Sequence, residues 1–194
     1  MRTKTLVQVE KILEAAARLF GTHRFHEVRM EDVADAADVG KGTLYRYFRD
    51  KEELFTGLLE HALKQFQERI REEVAKASGA RDRLEALVGA IITYFDEHPH
   101  LMELIQRGEL SHIGDKPFVW NYARVGMLKQ TTDLFEEGRV RGEFAVGDPE
   151  LTAMLLLGGI RTVIRIGVKP RPADLPRRIV QNVLCGAAAV PCLS

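Results

Sequence analysis

The sequence predicts an all-α protein of about nine helices. Apolar residues recur every three or four positions along most of the chain, which is the spacing of one buried helix face. The alternating apolar and polar residues of a half-buried strand are scarce, and helix start and stop signals separate the periodic segments. With 194 residues, the chain is long enough for one or two domains with their own cores.

Three helices are predicted in the N-terminal part of the chain. An apolar stripe that ends at Gly21-Thr22 defines the first helix. The second helix covers residues 30–37 and has acidic residues at its positive N-terminal end. A turn at residues 38–40 then leads into a short third helix. The stripe of the first helix consists of Ile12, Leu13, Ala16, Leu19 and Phe20.

The third helix has two contrasting faces. Leu44 and Phe48 lie one turn apart, so they can share a buried stripe with Val39. A helix of two turns is not stable alone in water, so this stripe must hold it against the rest of the protein. The opposite face is then free to contact a partner. It carries Lys41, Gly42, Tyr45, Arg46 and Arg49.

Six further helices are predicted to follow. The fourth begins after an Asp50 N-cap, with Glu53 completing a capping box, and ends near residue 77. The eighth begins at residues 148–150, where an acid, a proline and a second acid form a strong start signal, and it ends near residue 167. The remaining helices are predicted at residues 81–97, 100–112, 115–138 (with Asp115 as N-cap and Pro117 in the first turn) and 174–189.

Charge and composition narrow the function. The formal net charge is zero, so nucleic-acid binding would have to come from a local patch. Residues 39–51 supply one, because four basic side chains against one acidic side chain leave a charge of +3. We expect a cytoplasmic protein without a membrane partner, since no signal peptide and no membrane-spanning apolar run is visible. Cys185 and Cys192 lack metal-ligand spacing and are expected to be reduced thiols.

Five segments occur in order within residues 9–55: Ile12-Leu13-Glu14-Ala15-Ala16, Leu19-Phe20, Asp32-Val33-Ala34, residues 41–48 and residues 51–55. Together they resemble the DNA-binding domain of the TetR (tetracycline-repressor-like) transcriptional regulators. The resemblance covers about a quarter of the chain and implies a helix-turn-helix whose second helix enters the major groove. It also implies the domain division: residues 1–51 bind DNA, and residues 52–194 form a helical domain for effector binding and dimerisation.

The chain departs from the family pattern at three places. Arg24 stands where the family usually has glycine. Val28 and Arg29 stand where threonines usually cap the second helix, which puts the capping of that helix in question. Asp38 replaces a turn glycine, although aspartate can still adopt the left-handed conformation.

The resemblance implies roles for the residues on and around the third helix. Tyr45 and Arg46 point outward and are the candidates for reading base edges, where arginine pairs best with guanine. Gly42 would let the backbone approach the groove closely. The alternative is that the tyrosines are merely half-buried and Arg46 is merely solvated. The candidates for phosphate contacts are Lys41, Thr43, Tyr47 and Lys51, with Arg29 as a replacement for the lost threonine contact.

One helix-turn-helix domain contacts only a few base pairs. We therefore expect a homodimer that binds a palindromic double-stranded DNA operator. The last two helices, at about residues 148–189, are the candidate dimer surface, because the first of them is apolar nearly all round. Gly158-Gly159 would let a partner helix come close. The alternative is that this helix belongs to a purely intramolecular core. Such a core would explain why one face of the helix is apolar, but not why the apolar face is so wide.

The resemblance further implies a pocket for a small-molecule effector that releases the DNA. The acidic residues Asp96, Glu97, Glu103 and Glu109 hint at a cationic or neutral amphipathic molecule. The alternative function is a DNA-binding regulator or architectural protein without an effector. The pocket candidates are Phe66, Phe95, Met102, Ile105, Phe118, Trp120, Tyr122 and Met127.

An enzyme is not expected. His98, His100 and Glu103 form the one cluster that resembles a metal site, but Pro99 interrupts the helical geometry between the histidines. No phosphate-binding glycine loop and no nucleophile motif is visible. We therefore expect neither a metal nor a cofactor.

Overall fold

The computed structural model describes the backbone of residues 2–110 and 119–185 and the side chains of residues 7–105 and 121–185. These residues form nine α-helices and no strand, which confirms the predicted all-α class. The helices are α1 (Arg2–Thr22), α2 (Met30–Ala36), α3 (Lys41–Tyr47), α4 (Lys51–Ala75), α5 (Ala80–Glu97), α6 (Pro99–Leu110), α7 (Val119–Val140), α8 (Pro149–Ile166) and α9 (Leu175–Cys185).

Local hydrogen bonds confirm the predicted N-caps of α4 and α8. Asp148 caps α8 by accepting the Leu151 N–H at 3.0 Å, with Pro149 at the first helical position. Asp50 caps α4 by accepting the Glu53 N–H at 2.8 Å. The Glu53 carboxylate reaches back one residue further than the capping box predicts, to the Arg49 N–H at 2.8 Å. Asp115, Pro117 and the predicted end of α9 beyond residue 185 lie outside the described residues.

The helices separate into two compact units. The first contains α1, α2, α3, α6 and the part of α4 up to Lys64. The second contains the rest of α4, α5, α8, α9 and the part of α7 from Tyr122 onward. Each unit buries its own apolar side chains, so each has a hydrophobic core.

In the first unit, α1 is the central element. The rings of Phe20, Phe25 and Phe55 form a cluster with centroid distances of 5.2–5.5 Å. The C-terminal end of α1 also meets α6 closely, because a Cβ atom at Gly21 would clash with the Cβ of His100. Glycine is therefore required at position 21 for α6 to pack where it does.

In the second unit, α5 packs against both α8 and α9. Its N-terminus is capped from a distance, because the Glu143 carboxylate accepts the Ala80 N–H at 2.8 Å and the Arg81 N–H at 3.2 Å. At its other end, Asp96 binds Arg171, which also donates to the Val163 and Ile164 carbonyls of α8. These contacts attach both ends of α5 to segments that are distant in the sequence.

One cysteine differs from the sequence prediction. Cys185, at the end of α9, is disulfide-bonded, so the expectation of a reduced thiol at this position was wrong. Neither the periodicity nor the spacing of the two cysteines in the sequence indicated a bond. Cys192 lies outside the described residues.

Candidate nucleic-acid interface

The turn between α2 and α3 is a tight one with a single left-handed residue. Asp38 has a φ of +53°, as the sequence predicted for the position that lacks the family's glycine. The Val39 N–H donates to the Ala34 carbonyl at 3.0 Å and closes the end of α2. The turn therefore fixes the direction in which α3 leaves α2.

The start of α2 is capped without a threonine. The Asp32 carboxylate accepts the Arg29 N–H at 3.0 Å, which satisfies one backbone donor at the helix start. The Arg29 side chain is exposed and cannot itself accept a hydrogen bond. The helix begins at Met30 despite the missing threonine, and Arg29 lies on the surface next to the start of α2.

The inner face of α3 is anchored in the core of the first unit. Leu44 is fully buried and Phe48 is 9% exposed, as the two-faced pattern predicted. The Phe48 ring lies directly over Gly57 of α4, where a Cβ atom would come within 2.9 Å of the ring. This anchoring holds a helix of seven residues that would not be stable alone.

The outer face of α3 is exposed and partly ordered by its own contacts. Lys41, Gly42, Tyr45 and Arg46 are all exposed, whereas Thr43 is half-buried. The Lys41 ammonium pairs with Glu31 of α2 at 2.5 Å and lies 5.8 Å from the centre of the Tyr45 ring. The hydrogen bond from Lys41 lowers the pKa of Glu31, and the same bond raises the pKa of Lys41.

Arg46 and Tyr47 are linked to α1 by a short hydrogen-bond chain. The Arg46 guanidinium donates to the Tyr47 hydroxyl at 3.1 Å and lies 4.9 Å from the centre of the Tyr47 ring. The Tyr47 hydroxyl donates to the Gln8 side-chain oxygen at 3.2 Å. Gln8 was not among the predicted site residues, because one polar residue in the first helix gives no signal of its own.

Lys51 is held by the protein itself. Its ammonium donates to the Val28 carbonyl at 2.9 Å and lies 4.6 Å from the centre of the Phe25 ring. The side chain is half-buried at the first position of α4. Lys51 thus joins α4 to the loop before α2, a contact that the sequence pattern did not indicate.

The candidate effector residues are spread over several helices. Phe66 and Phe95 are buried in the second unit with ring centroids 5.5 Å apart. Tyr94, which the sequence analysis did not select, joins them at 5.2 Å from Phe66, and burial raises its pKa to about 12. The others are placed as follows: Met102 (half-buried) and Ile105 (buried) on α6, Tyr122 (68% exposed) and Met127 (half-buried) on α7, and Phe118 and the Trp120 side chain outside the described residues.

Two of the four acidic residues that hinted at a cationic effector form ion pairs within the protein. Asp96 accepts from Arg171 at 2.6 Å and lies 2.8 Å from the Lys169 ammonium. Partial burial raises the pKa of Asp96, but these two cations outweigh it and leave the pKa below its usual value. Glu97 lies 3.9 Å from Arg69. These two carboxylates therefore give no support to a cationic effector.

Neither a metal-binding cluster nor a membrane-spanning helix is found in the part of the chain that the structure describes. No group of three or more His, Cys, Asp or Glu side chains there could hold a metal ion. None of the helices described has both the length and the apolar character needed to cross a membrane.

The helix-turn-helix coincides with a known sequence family. The model of the bacterial regulatory proteins of the tetR family matches residues 12–58, which run from α1 through α3 into α4. These residues carry the helix-turn-helix of the TetR family. The resemblance predicted from the sequence is therefore confirmed, and the family consists of DNA-binding transcriptional regulators.

The likeness extends beyond the helix-turn-helix. The helix-turn-helix transcriptional regulator YhgD of Bacillus subtilis (strain 168) is 29% identical over 147 residues, which span 75% of this chain and 76% of that protein. FadR from Bacillus subtilis, solved in complex with stearoyl-CoA, superposes with a TM-score of 0.75 at 22% identity, covering 92% of this chain and 99% of that one. AibR, solved in complex with isovaleryl coenzyme A and operator DNA, superposes with a TM-score of 0.72 at 19% sequence identity. The superposition covers 91% of this chain and 96% of the AibR chain. The two structural likenesses establish the fold.

Proposed function

We propose that this TetR-family protein is a homodimeric repressor that binds a palindromic operator and is released from it by a small-molecule effector. The observation that carries the proposal is the outer face of α3. Its exposed Lys41, Gly42, Tyr45 and Arg46 stand on a helix that buried Leu44 and Phe48 hold rigidly. A rigid, exposed helix with basic and aromatic side chains suits the major groove.

Within this surface, Tyr45 and Arg46 read base edges, and Arg46 suits guanine because its guanidinium can donate two parallel hydrogen bonds. Lys41, Thr43 and Arg29 contact phosphates. Lys51 does so as well, whereas the Tyr47 hydroxyl keeps its bond to Gln8 and supports Arg46 instead of a phosphate. Lys51 has donors to spare, since an ammonium carries three N–H groups and Val28 accepts one.

The dimer forms through α8 and α9. On α8, Leu151, Met154 and Leu155 are 52%, 47% and 66% exposed and lie at helical spacing, so they form an apolar stripe on the surface. Gly158 and Gly159 continue the stripe with open space around them, which allows a partner helix to approach. An exposed apolar stripe of this kind is typical of an interface between subunits.

The effector is an acyl thioester of coenzyme A. Support comes from FadR and AibR, whose structures hold stearoyl-CoA and isovaleryl coenzyme A. The acyl chain would lie beside the apolar candidates of the second unit, of which Phe66 and Phe95 have ring centroids 5.5 Å apart. The effector releases DNA only if it binds the DNA-free conformation more tightly, by about 2.7 kcal/mol for a hundredfold change in DNA affinity.

In this proposal, residues 1–51 bind DNA and residues 52–194 bind the effector and dimerise. The protein acts in the cytoplasm, where bacterial DNA lies.

The test has two steps. The protein is first used to select bound duplexes from random DNA, and an enriched palindrome is expected. Binding to that palindrome is then titrated with stearoyl-CoA and isovaleryl-CoA, with free coenzyme A as the control. Release by an acyl thioester alone supports the whole proposal. An enriched palindrome that no thioester releases would leave a regulator without this effector class, and no enriched sequence would refute operator recognition.

A further inference from the structure

The N-terminal part of α1 reaches the DNA-facing helix through one side chain. Gln8 lies before the residues 12–58 that carry the family match, and it is half-buried. Its side-chain oxygen accepts the Tyr47 hydroxyl at 3.2 Å, across 39 positions of sequence. The contact therefore joins α1 to the last residue of α3.

The hydrogen bonds around Tyr47 have a defined direction. A phenol has one proton, and Tyr47 gives it to Gln8, which leaves the lone pairs of its oxygen free to accept. Arg46 donates to this oxygen from one terminal nitrogen at 3.1 Å, and its guanidinium carbon lies 4.9 Å from the centre of the ring. Gln8 thus orients the hydroxyl, and the hydroxyl and ring together hold the guanidinium.

We propose that Gln8 is a specificity-determining positioning residue, which acts through Tyr47 to hold Arg46 in place for base recognition. This inference rests on the proposed DNA-binding function of α3. An arginine side chain loses considerable rotamer freedom when it binds, so ordering it beforehand lowers the cost of recognition. Arg46 uses one terminal nitrogen for Tyr47, and a guanidinium has five N–H donors in all, so donors remain for a base.

The contact lies apart from the core that stabilises the first unit. Arg46 is exposed and Gln8 and Tyr47 are half-buried, whereas the core is formed by fully buried residues such as Ile12 and Leu44. Loss of the Gln8 contact should therefore change DNA discrimination much more than folding. The melting temperature of Gln8→Ala should fall by no more than about 4 °C.

The experiment compares the affinity for a duplex selected by the wild-type protein from random DNA with the affinity for a scrambled duplex. Gln8→Ala and Tyr47→Phe should each lower this ratio by about threefold to tenfold, the change that one ordinary hydrogen bond is worth. Gln8→Glu keeps the acceptor, so its ratio should match the wild type even though the added charge weakens binding to both duplexes. Glu10→Ala, at an exposed site on the same helix, is the matched control and should leave the ratio unchanged.

A double-mutant cycle with Arg46→Ala separates positioning from a direct contact. If Gln8 acts through Arg46, Gln8→Ala should have no further effect on the ratio in the Arg46→Ala background. An undiminished effect there, or equal loss of binding to both duplexes, would overturn the inference. If Arg46→Ala lowers the ratio while Gln8→Ala does not, the inference fails and the proposed function stands. If the wild-type protein enriches no sequence, the proposed function itself fails.

Discussion

Single residues decide whether α3 can present its outer face. Asp38 adopts the left-handed conformation in place of the family's glycine, and Asp32 accepts the Arg29 N–H at the start of α2, where the missing threonine would have accepted an N–H from inside the helix. The first substitution could be predicted, because aspartate is one of the few residues that tolerate a positive φ. The capping of α2 could not be predicted with the same certainty from the missing threonine, although Asp32 stands three residues after Arg29, where its carboxylate can reach back to the helix start.

Gly42 offers a test of close backbone approach to DNA. A Cβ atom there meets no protein atom within 4 Å, and alanine favours a helix over glycine by up to about 1 kcal/mol. Gly42→Ala should therefore leave the protein at least as stable in urea unfolding while weakening operator binding measured by fluorescence anisotropy. Gly126→Ala on α7, where the space is equally open, is the control and should leave DNA affinity unchanged. Wild-type affinity for Gly42→Ala would mean that the α3 backbone stays clear of the groove.

At the scale of the helices, local signals were predictable and long-range contacts were not. The Asp50 and Asp148 caps act over three residues, so the sequence around each helix start contains the whole interaction. Glu143 caps α5 from 63 positions away, and Arg171 reaches Asp96 across 75 positions. The bond from Lys51 to the Val28 carbonyl was likewise not predicted, because it depends on how α4 packs rather than on spacing in the sequence.

The Asp96–Arg171 contact links α5 to the end of α8 and should depend on pH. The Arg171 side chain is 7% exposed, so loss of its carboxylate partner in Asp96→Asn should cost about 2 kcal/mol of unfolding free energy at pH 7. The pKa of Asp96 is lowered in the folded protein, so this stabilisation is present above the ordinary carboxylate pKa. It is lost as the pH falls through the lowered value, so the two proteins should converge in acid.

Urea unfolding from pH 7 to pH 3 measures this convergence. Asp133→Asn is the control, because Asp133 pairs with Lys129 on the surface of α7 with a side chain that is 62% exposed. Its loss should cost no more than about 0.5 kcal/mol. A constant difference between Asp96→Asn and the wild type at every pH would show that the carboxylate charge does not contribute.

At the scale of the whole molecule, the all-α fold could be predicted from the helical spacing of apolar residues along the chain. The resemblance to the TetR family could be predicted because five characteristic segments lie close together within residues 9–55. The residues of the effector site could not be predicted as reliably as the fold. Its candidates came from apolar residues that serve equally as core, and the structure brings Phe66 and Phe95 together with Tyr94, which was not among them. Position along a helix does not tell a core aromatic from one that faces a ligand.

The proposed dimer surface can be tested with one charge. Leu155 is 66% exposed on α8, so Leu155→Glu should leave each subunit folded, as measured by circular dichroism, but should produce monomers in analytical ultracentrifugation. Operator affinity should fall with dimerisation, because two half-sites are then no longer bound together. Val125→Glu on α7, at a residue 69% exposed, is the matched control and should remain dimeric. A dimeric Leu155→Glu would place the subunit contact elsewhere.

The contact between Gly21 and His100 has an evolutionary consequence. The space that a side chain at position 21 would need is already taken by the histidine, so enlarging one residue requires shrinking the other. Across homologous proteins, these two alignment columns should covary, with a bulkier residue in the α1 column accompanied by a smaller one in the α6 column.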